Sequence, residues 1–129
     1  MKHVLLILLL PSISMAHLSI SDKVDVWEAA VEPYVEICKT ESGVNPLYPE
    51  RMKFLEFPDE KNFRCYMKCL YENMEVMDDT GVIDIAKFAS QLTHGNVDLA
   101  EECKGQVREE TDLCELAYKL LLCTVHFDS

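Results

Sequence analysis

The stretch NFRCYMKCLYENMEVM, Asn62 to Met77, decides the fold of this chain. Its two cysteines, Cys65 and Cys69, are four residues apart. On an α-helix that interval is one turn plus about 40°, so both sulfurs leave the same side, one above the other. Phe63, Met67, Leu70, Met74 and Met77 run beside them as an apolar stripe, with Tyr66 at its edge. The spacing follows a helical period and not the alternation of a strand. A helix with both a hydrophobic stripe and two half-cystines can be tied covalently to two other elements.

Working outward, Asp59 is the expected cap of this helix, which is predicted over residues 60–77, and Asp78-Asp79-Thr80-Gly81 is a turn. Upstream, Val24, Trp27, Val31, Tyr34, Val35 and Cys38 place an amphipathic helix from Ser21 or Asp22 to about Thr40. Pro33 kinks it near Ala29–Glu32, and two helices split at the proline fit almost as well. A short helix opening at Pro49 and ending before Pro58 carries Met52, Phe54 and Leu55. Downstream, Asp84 caps a helix with Ile85, Phe88, Ala89 and Leu92 inward, ending at Gly95. Asn96 or Asp98 caps the next, and Thr111 or Asp112 the last, followed after Cys123 by a short tail, TVHFDS. The expected architecture is all-α: six short helices in one stapled domain.

Residues 1–16 read as a secretory signal peptide. Lys2 and His3 form a basic head, Val4–Leu10 is an unbroken apolar run, Pro11 ends it, and Ser14 and Ala16 set a cut before His17. The apolar core is too short to span a bilayer. The predicted domain, residues 17–129, then has 113 residues, with 11 Lys and Arg against 23 Asp and Glu, a net charge of −12. Such a balance argues against nucleic acid and membrane insertion, and favours solubility. All six cysteines lie in this part, and an even count in an exported small domain reads as three disulfides.

Spacing alone does not choose among the fifteen pairings. Cys65 and Cys69 share a face, so each should leave for a distant partner. Cys114 and Cys123 cannot meet along a straight helix of about 13 Å. The central helix is thus tied to two other elements, without saying which. The order Cys38-x26-Cys65-x3-Cys69-x33-Cys103-x10-Cys114-x8-Cys123 resembles the insect odorant-binding proteins, the pheromone and general odorant-binding family. The x3 and x8 intervals carry most of the likeness, and the x33 interval is a little short of the family's usual one. The turn DDTGVID (78–84) and the run Cys114-Glu115-Leu116-Ala117-Tyr118-Lys119 match as well.

The resemblance implies an interlocked pairing, Cys38–Cys69, Cys65–Cys114 and Cys103–Cys123. It also implies an apolar cavity among the helices for small hydrophobic molecules. Met52, Leu55, Met67, Leu70, Met74, Phe88, Leu92, Leu113, Tyr118, Leu121, Val125 and Phe127 are the candidate lining. Taken singly, each reads as ordinary helical core; several are Met, whose adaptable shape suits promiscuous apolar sites. Tyr34, Tyr66 and Tyr118 are candidates to offer a hydroxyl to a ligand alcohol, aldehyde or ester.

Chemistry of other kinds finds little support. Counting back from Gly81 puts Val76 at the first position of an EF-hand loop, where an acid is needed. No Cys-x2-Cys or His-Glu-x-x-His suggests zinc, and no His-Asp pair suggests a phospholipase of the A2 type. The paired terminal half-cystines of saposin-like proteins are missing. No nucleophile, base and orienter assemble. The expectation is therefore a non-enzymatic secreted carrier of odorants, pheromones or similar molecules, monomeric or weakly dimeric, with no cofactor or metal and a chemosensory receptor as a further candidate partner. The Val125–Phe127 tail would line or close one mouth of the pocket. His126 would couple release to acid, since imidazole titrates at about pH 6.5. The rival expectation is a secreted interaction protein of the salivary, seminal or venom kind, with a filled core and an active acidic surface.

Overall fold

In the computed structural model the backbone is described for residues 19–128 and the side chains for residues 19–126. The signal peptide expected over 1–16 and the side chain of Phe127 lie outside the described residues. The helices are α1 (Ile20–Val31), α2 (Val35–Ser42), α3 (Leu47–Arg51), α4 (Lys61–Asn73), α5 (Ile85–Leu92), α6 (Val97–Val107) and α7 (Leu113–Asp128). A 3-10 turn, Glu32–Tyr34, joins α1 to α2. Pro33 has no N–H to continue the ladder, so the two helices are limbs of one kinked rod. Counted that way, the described residues form six helices.

Short side chains set where each element starts. Ser19 caps α1 by accepting from the Asp22 N–H, just ahead of the expected Ser21 or Asp22. Asn45 Oδ1 accepts from the Leu47 N–H at 3.0 Å, so α3 opens two residues before Pro49. Glu60, not Asp59, caps α4 by accepting from the Phe63 N–H at 2.9 Å. Asp84 and Asn96 cap α5 and α6. Asp112 Oδ1 accepts from the N–H groups of Cys114 and Glu115 at the start of α7.

Two helix ends differ most from the sequence expectation. The first is α4, which stops at Asn73 and not at residue 77. Glu75 turns into the left-handed region at φ 62°, and Met77 pairs with Ile83 in an isolated antiparallel bridge. The reason lies in Asp78, whose Oδ1 accepts from the N–H groups of Thr80 and Val82 and from the Thr80 hydroxyl. That turn folds the strand-like pair back and buries Val76, Met77 and Ile83, which a continued helix would have left in line. The second is α7, which continues through the expected tail to Asp128.

Three disulfides staple the assembly, in the interlocked pairing the family resemblance implies. Cys69 bonds Cys38 on α2, Cys65 bonds Cys114 on α7, and Cys103 on α6 bonds Cys123 on α7. Beside the second bridge, Arg64 pairs with both Asp59 and Glu115 at 2.5 Å. The core sits between α4 and α7, where Phe63, Leu70, Ala117 and Leu120 are fully buried. Phe63 is also the hub of an aromatic group, with Tyr48, Tyr66 and Tyr118 at centroid distances of 6.1–6.5 Å. In contrast, α1 has no fully buried residue. It packs against α5 and the 3-10 turn Met52–Phe54, and it faces a void.

Candidate functional site

The void is a pocket of about 470 Å³ between α1, α2, α4 and α7. One wall is the stripe Val24, Trp27 and Val31 of α1 with Val35 of α2. The opposite wall is Tyr66, Met67 and Tyr71 of α4, each no more than 2% exposed. Leu121, Thr124 and Val125 of α7 form the floor, and Leu92 of α5 closes the far end. Met52 and Phe57, on the chain that follows α3, sit at one side. Charged groups occur only where helices reach solvent, with Glu28, Glu32, Glu50 and Lys53 exposed and Lys39 half-buried.

Local sequence explains this geometry. The kink at Pro33 turns α2 toward Cys69 while α1 continues over the opening, so the disulfide to Cys38 sets the span of the roof. The indole N–H of Trp27 donates to the carbonyl oxygen of Leu92 at 2.8 Å and pins α1 to the end of α5. The other side is pinned by Tyr118, whose hydroxyl donates to the carbonyl oxygen of Phe57 at 2.8 Å. Thr124 donates to the Leu120 carbonyl at 2.8 Å within α7, which removes its hydroxyl from the pocket's polar inventory.

A second, shallower groove of about 570 Å³ lies behind the first. Leu55, Gln106, Leu122 and His126 line it, together with Phe57 and Val125, which belong to both hollows. Those two side chains therefore form the partition. His126 stands on the groove side and does not line the deeper pocket. Val125 is part of helix α7 and not of a loose tail.

The candidate lining divides accordingly. Met52, Met67, Leu92, Leu121 and Val125 come together around the deeper pocket, and Leu55 reaches the groove. Five others lie outside both. Leu70 and Phe88 are fully buried in the core, and Met74 lies beneath α5, its carbonyl accepting from Gln91. Leu113 packs against the turn at Gly81, and the Tyr118 hydroxyl is engaged by Phe57. The reason is that α4 is buried on two faces. Phe63, Leu70 and Met74 meet the core, while the adjoining row Tyr66, Met67 and Tyr71 meets the void. Tyr71 is not among the candidates the sequence offers, although it stands one helical turn beyond Met67 and the same periodicity leads to it. Periodicity places Trp27, Val31 and Val35 on the apolar face of their helix without marking them as lining.

Among the described residues, the sulfur-rich cluster near the site does not imply a bound metal. Cys38, Glu41 and Cys69 bring ligand atoms close together, but the two sulfurs are bonded to each other and supply no thiolate.

An all-helical frame with this disulfide pairing around an apolar pocket agrees with comparison to known proteins, in which residues 21–126 match the PBP/GOBP family. The chain belongs to the PBP/GOBP family. It is similar to "Odorant-binding protein 22" of Aedes aegypti, with 26% identity over 129 residues, covering 95% of this chain and 88% of that protein. It is also similar to "General odorant-binding protein 57c" of Drosophila melanogaster, with 31% identity over 67 residues, half of this chain and 44% of that protein. No solved structure matches it significantly. Among the described residues of this PBP/GOBP chain, no helix is long and apolar enough to cross a membrane.

Proposed function

We propose that this protein is a secreted, non-catalytic carrier that takes small hydrophobic molecules, such as odorants or pheromones, into the pocket between α1 and α4. The pocket itself carries the reading. At about 470 Å³ it falls within the range of small-molecule sites, roughly 300–1,000 Å³, and its walls are mostly aliphatic and aromatic. A scaffold that acted by its acidic surface alone would gain more from filling that volume, because close packing stabilises a core.

The mechanism is burial. A chain of roughly ten to sixteen carbons gains about 0.8 kcal/mol for each CH₂ removed from water. After the cost of association this supports affinity of about micromolar order. The disulfides let the walls stand around empty space that a bare helical bundle would collapse. Secretion rests on the signal-peptide pattern of residues 1–16 and on the use of every cysteine in a disulfide, which needs an oxidising compartment. Delivery to a chemosensory receptor belongs to the same reading.

The test is a titration of the oxidised, purified protein with N-phenyl-1-naphthylamine, paired with native mass spectrometry. The expected result is saturable binding of one probe per chain at micromolar concentration, with displacement by long-chain semi-volatiles. Failure of the probe and of long-chain alcohols and aldehydes to bind would overturn the carrier reading.

A further inference from the structure

The polar groups around the deeper pocket are not equivalent. The Trp27 N–H and the Thr124 hydroxyl both find carbonyl acceptors at 2.8 Å. Tyr66 and Tyr71 differ. They are 1% and 2% exposed, line the pocket, and have no hydrogen-bond partner for either hydroxyl among the described residues. Neither hydroxyl oxygen is sealed off from accessible space, unlike a polar atom stranded in a packed core. The remaining accessible sliver of each residue therefore includes its oxygen. Five residues apart on α4, their Cα atoms are about 7.5 Å apart along the helix axis and about 140° apart around it, on either side of Met67. Water in the open pocket can accept from each hydroxyl, so a ligand that displaces that water loses affinity unless it brings an oxygen to accept in its place.

We infer that Tyr66 and Tyr71 form a polar clamp that selects uncharged ligands bearing a hydrogen-bond-accepting oxygen, such as long-chain alcohols, aldehydes, ketones or esters, over hydrocarbons and fatty carboxylates of equal length. This inference rests on the carrier reading above. The charges near the pocket disfavour a carboxylate. Glu28, Glu32 and Glu50 outnumber Lys39 and Lys53. Lys39 is already paired with Glu36 at 3.2 Å, and Lys53 lies over the ring of Phe54. An anion placed against Tyr66 would approach Glu32 and Glu36, the same charges that, after burial, hold its phenol above the ordinary value. Burial raises Tyr71 likewise, so both phenols stay neutral donors at physiological pH. The hydrocarbon tail of the ligand then lies along Met67, Leu121 and Val125.

The experiment is displacement of N-phenyl-1-naphthylamine by 1-dodecanol, dodecanal, 1-dodecene and dodecanoate, on the wild type and on Tyr66→Phe, Tyr71→Phe and the double variant. Each lost hydroxyl is expected to weaken dodecanol or dodecanal by about threefold to tenfold, with the probe and 1-dodecene unchanged. Tyr118→Phe is the control, since its hydroxyl is already engaged outside the pocket. In the wild type, dodecanol should displace the probe better than dodecanoate. Unaltered dodecanol and dodecanal affinities in the double variant, or a preference for dodecanoate, would overturn the clamp while leaving the carrier reading intact. Absence of any binding to the wild type would overturn both.

Discussion

The indole of Trp27 and the carbonyl of Leu92, 65 residues apart in the chain, meet in a 2.8 Å hydrogen bond at the edge of the pocket. It joins α1, which has no fully buried residue, to the end of α5, and both residues line the pocket. Trp27 is the only tryptophan in the chain. Its emission should therefore shift to the blue, or be quenched, when an apolar ligand replaces water beside it. Trp27→Phe removes the bond and is expected to cost about 1 kcal/mol by urea unfolding. An emission spectrum unchanged at saturating ligand would contradict the placement of α1 over the site.

Among the disulfides, Cys65–Cys114 closes 49 residues of chain, against 31 for Cys38–Cys69 and 20 for Cys103–Cys123. Loop-closure entropy grows slowly with length, so each staple contributes about 3–4 kcal/mol and the longest contributes most. Paired Cys→Ala replacement at Cys65 and Cys114 should lower stability more than the same change at Cys103 and Cys123. Denaturant midpoints of the two variants check the order.

Two glycines give opposite expectations for the same substitution. Gly81 has φ +91°, and a Cβ there would lie 2.8 Å from Leu113 Cδ2 and 3.4 Å from Leu116 Cδ1. Gly81→Ala should destabilise by about 1–3 kcal/mol through strain and the clash with α7. Gly105 lies inside α6, and a Cβ there would have nothing within 4 Å. Gly105→Ala should stabilise by about 0.5–1 kcal/mol. Thermal melts of the pair decide both signs at once.

Acid stability follows from two tied carboxyls. The Thr80 hydroxyl, with the N–H groups of Val82 and Thr80, holds Asp78 below its ordinary value, and Lys119 does the same for Glu110. A carboxyl lowered in the folded state contributes stability that is complete above its unfolded pKa and is lost as pH falls through the folded one. The melting temperature should thus be flat from pH 8 to about 5 and decline below about pH 4. A decline beginning between pH 7 and 6 would assign the loss to other groups.

How much of this was legible in the sequence depends on the range of the interaction. Caps, the proline kink and the turn at Asp78 are decided by residues within a few positions of each other. Most helix starts were accordingly readable to within one or two residues. The end of α4 was not. Met74 and Met77 continue the apolar period on paper, but the Asp78 turn and the bridge between Met77 and Ile83 stabilise a different path. In the same way the tail at Val125 reads as irregular, yet it continues α7 with Val125 and Thr124 buried.

Asn62 to Met77 by itself determined that a helix with two half-cystines on one face would be the post of an all-α domain. The reason is local: a four-residue interval and a helical period fix which side chains share a side. Only the tertiary structure decided which neighbouring row meets core and which meets void. Periodicity marks a helix face as buried without saying whether its neighbour fills the space against it. Here α7 fills the space beside Phe63, whose ring meets that of Tyr118, while the rod kinked at Pro33 spans Tyr66, Met67 and Tyr71 without filling it.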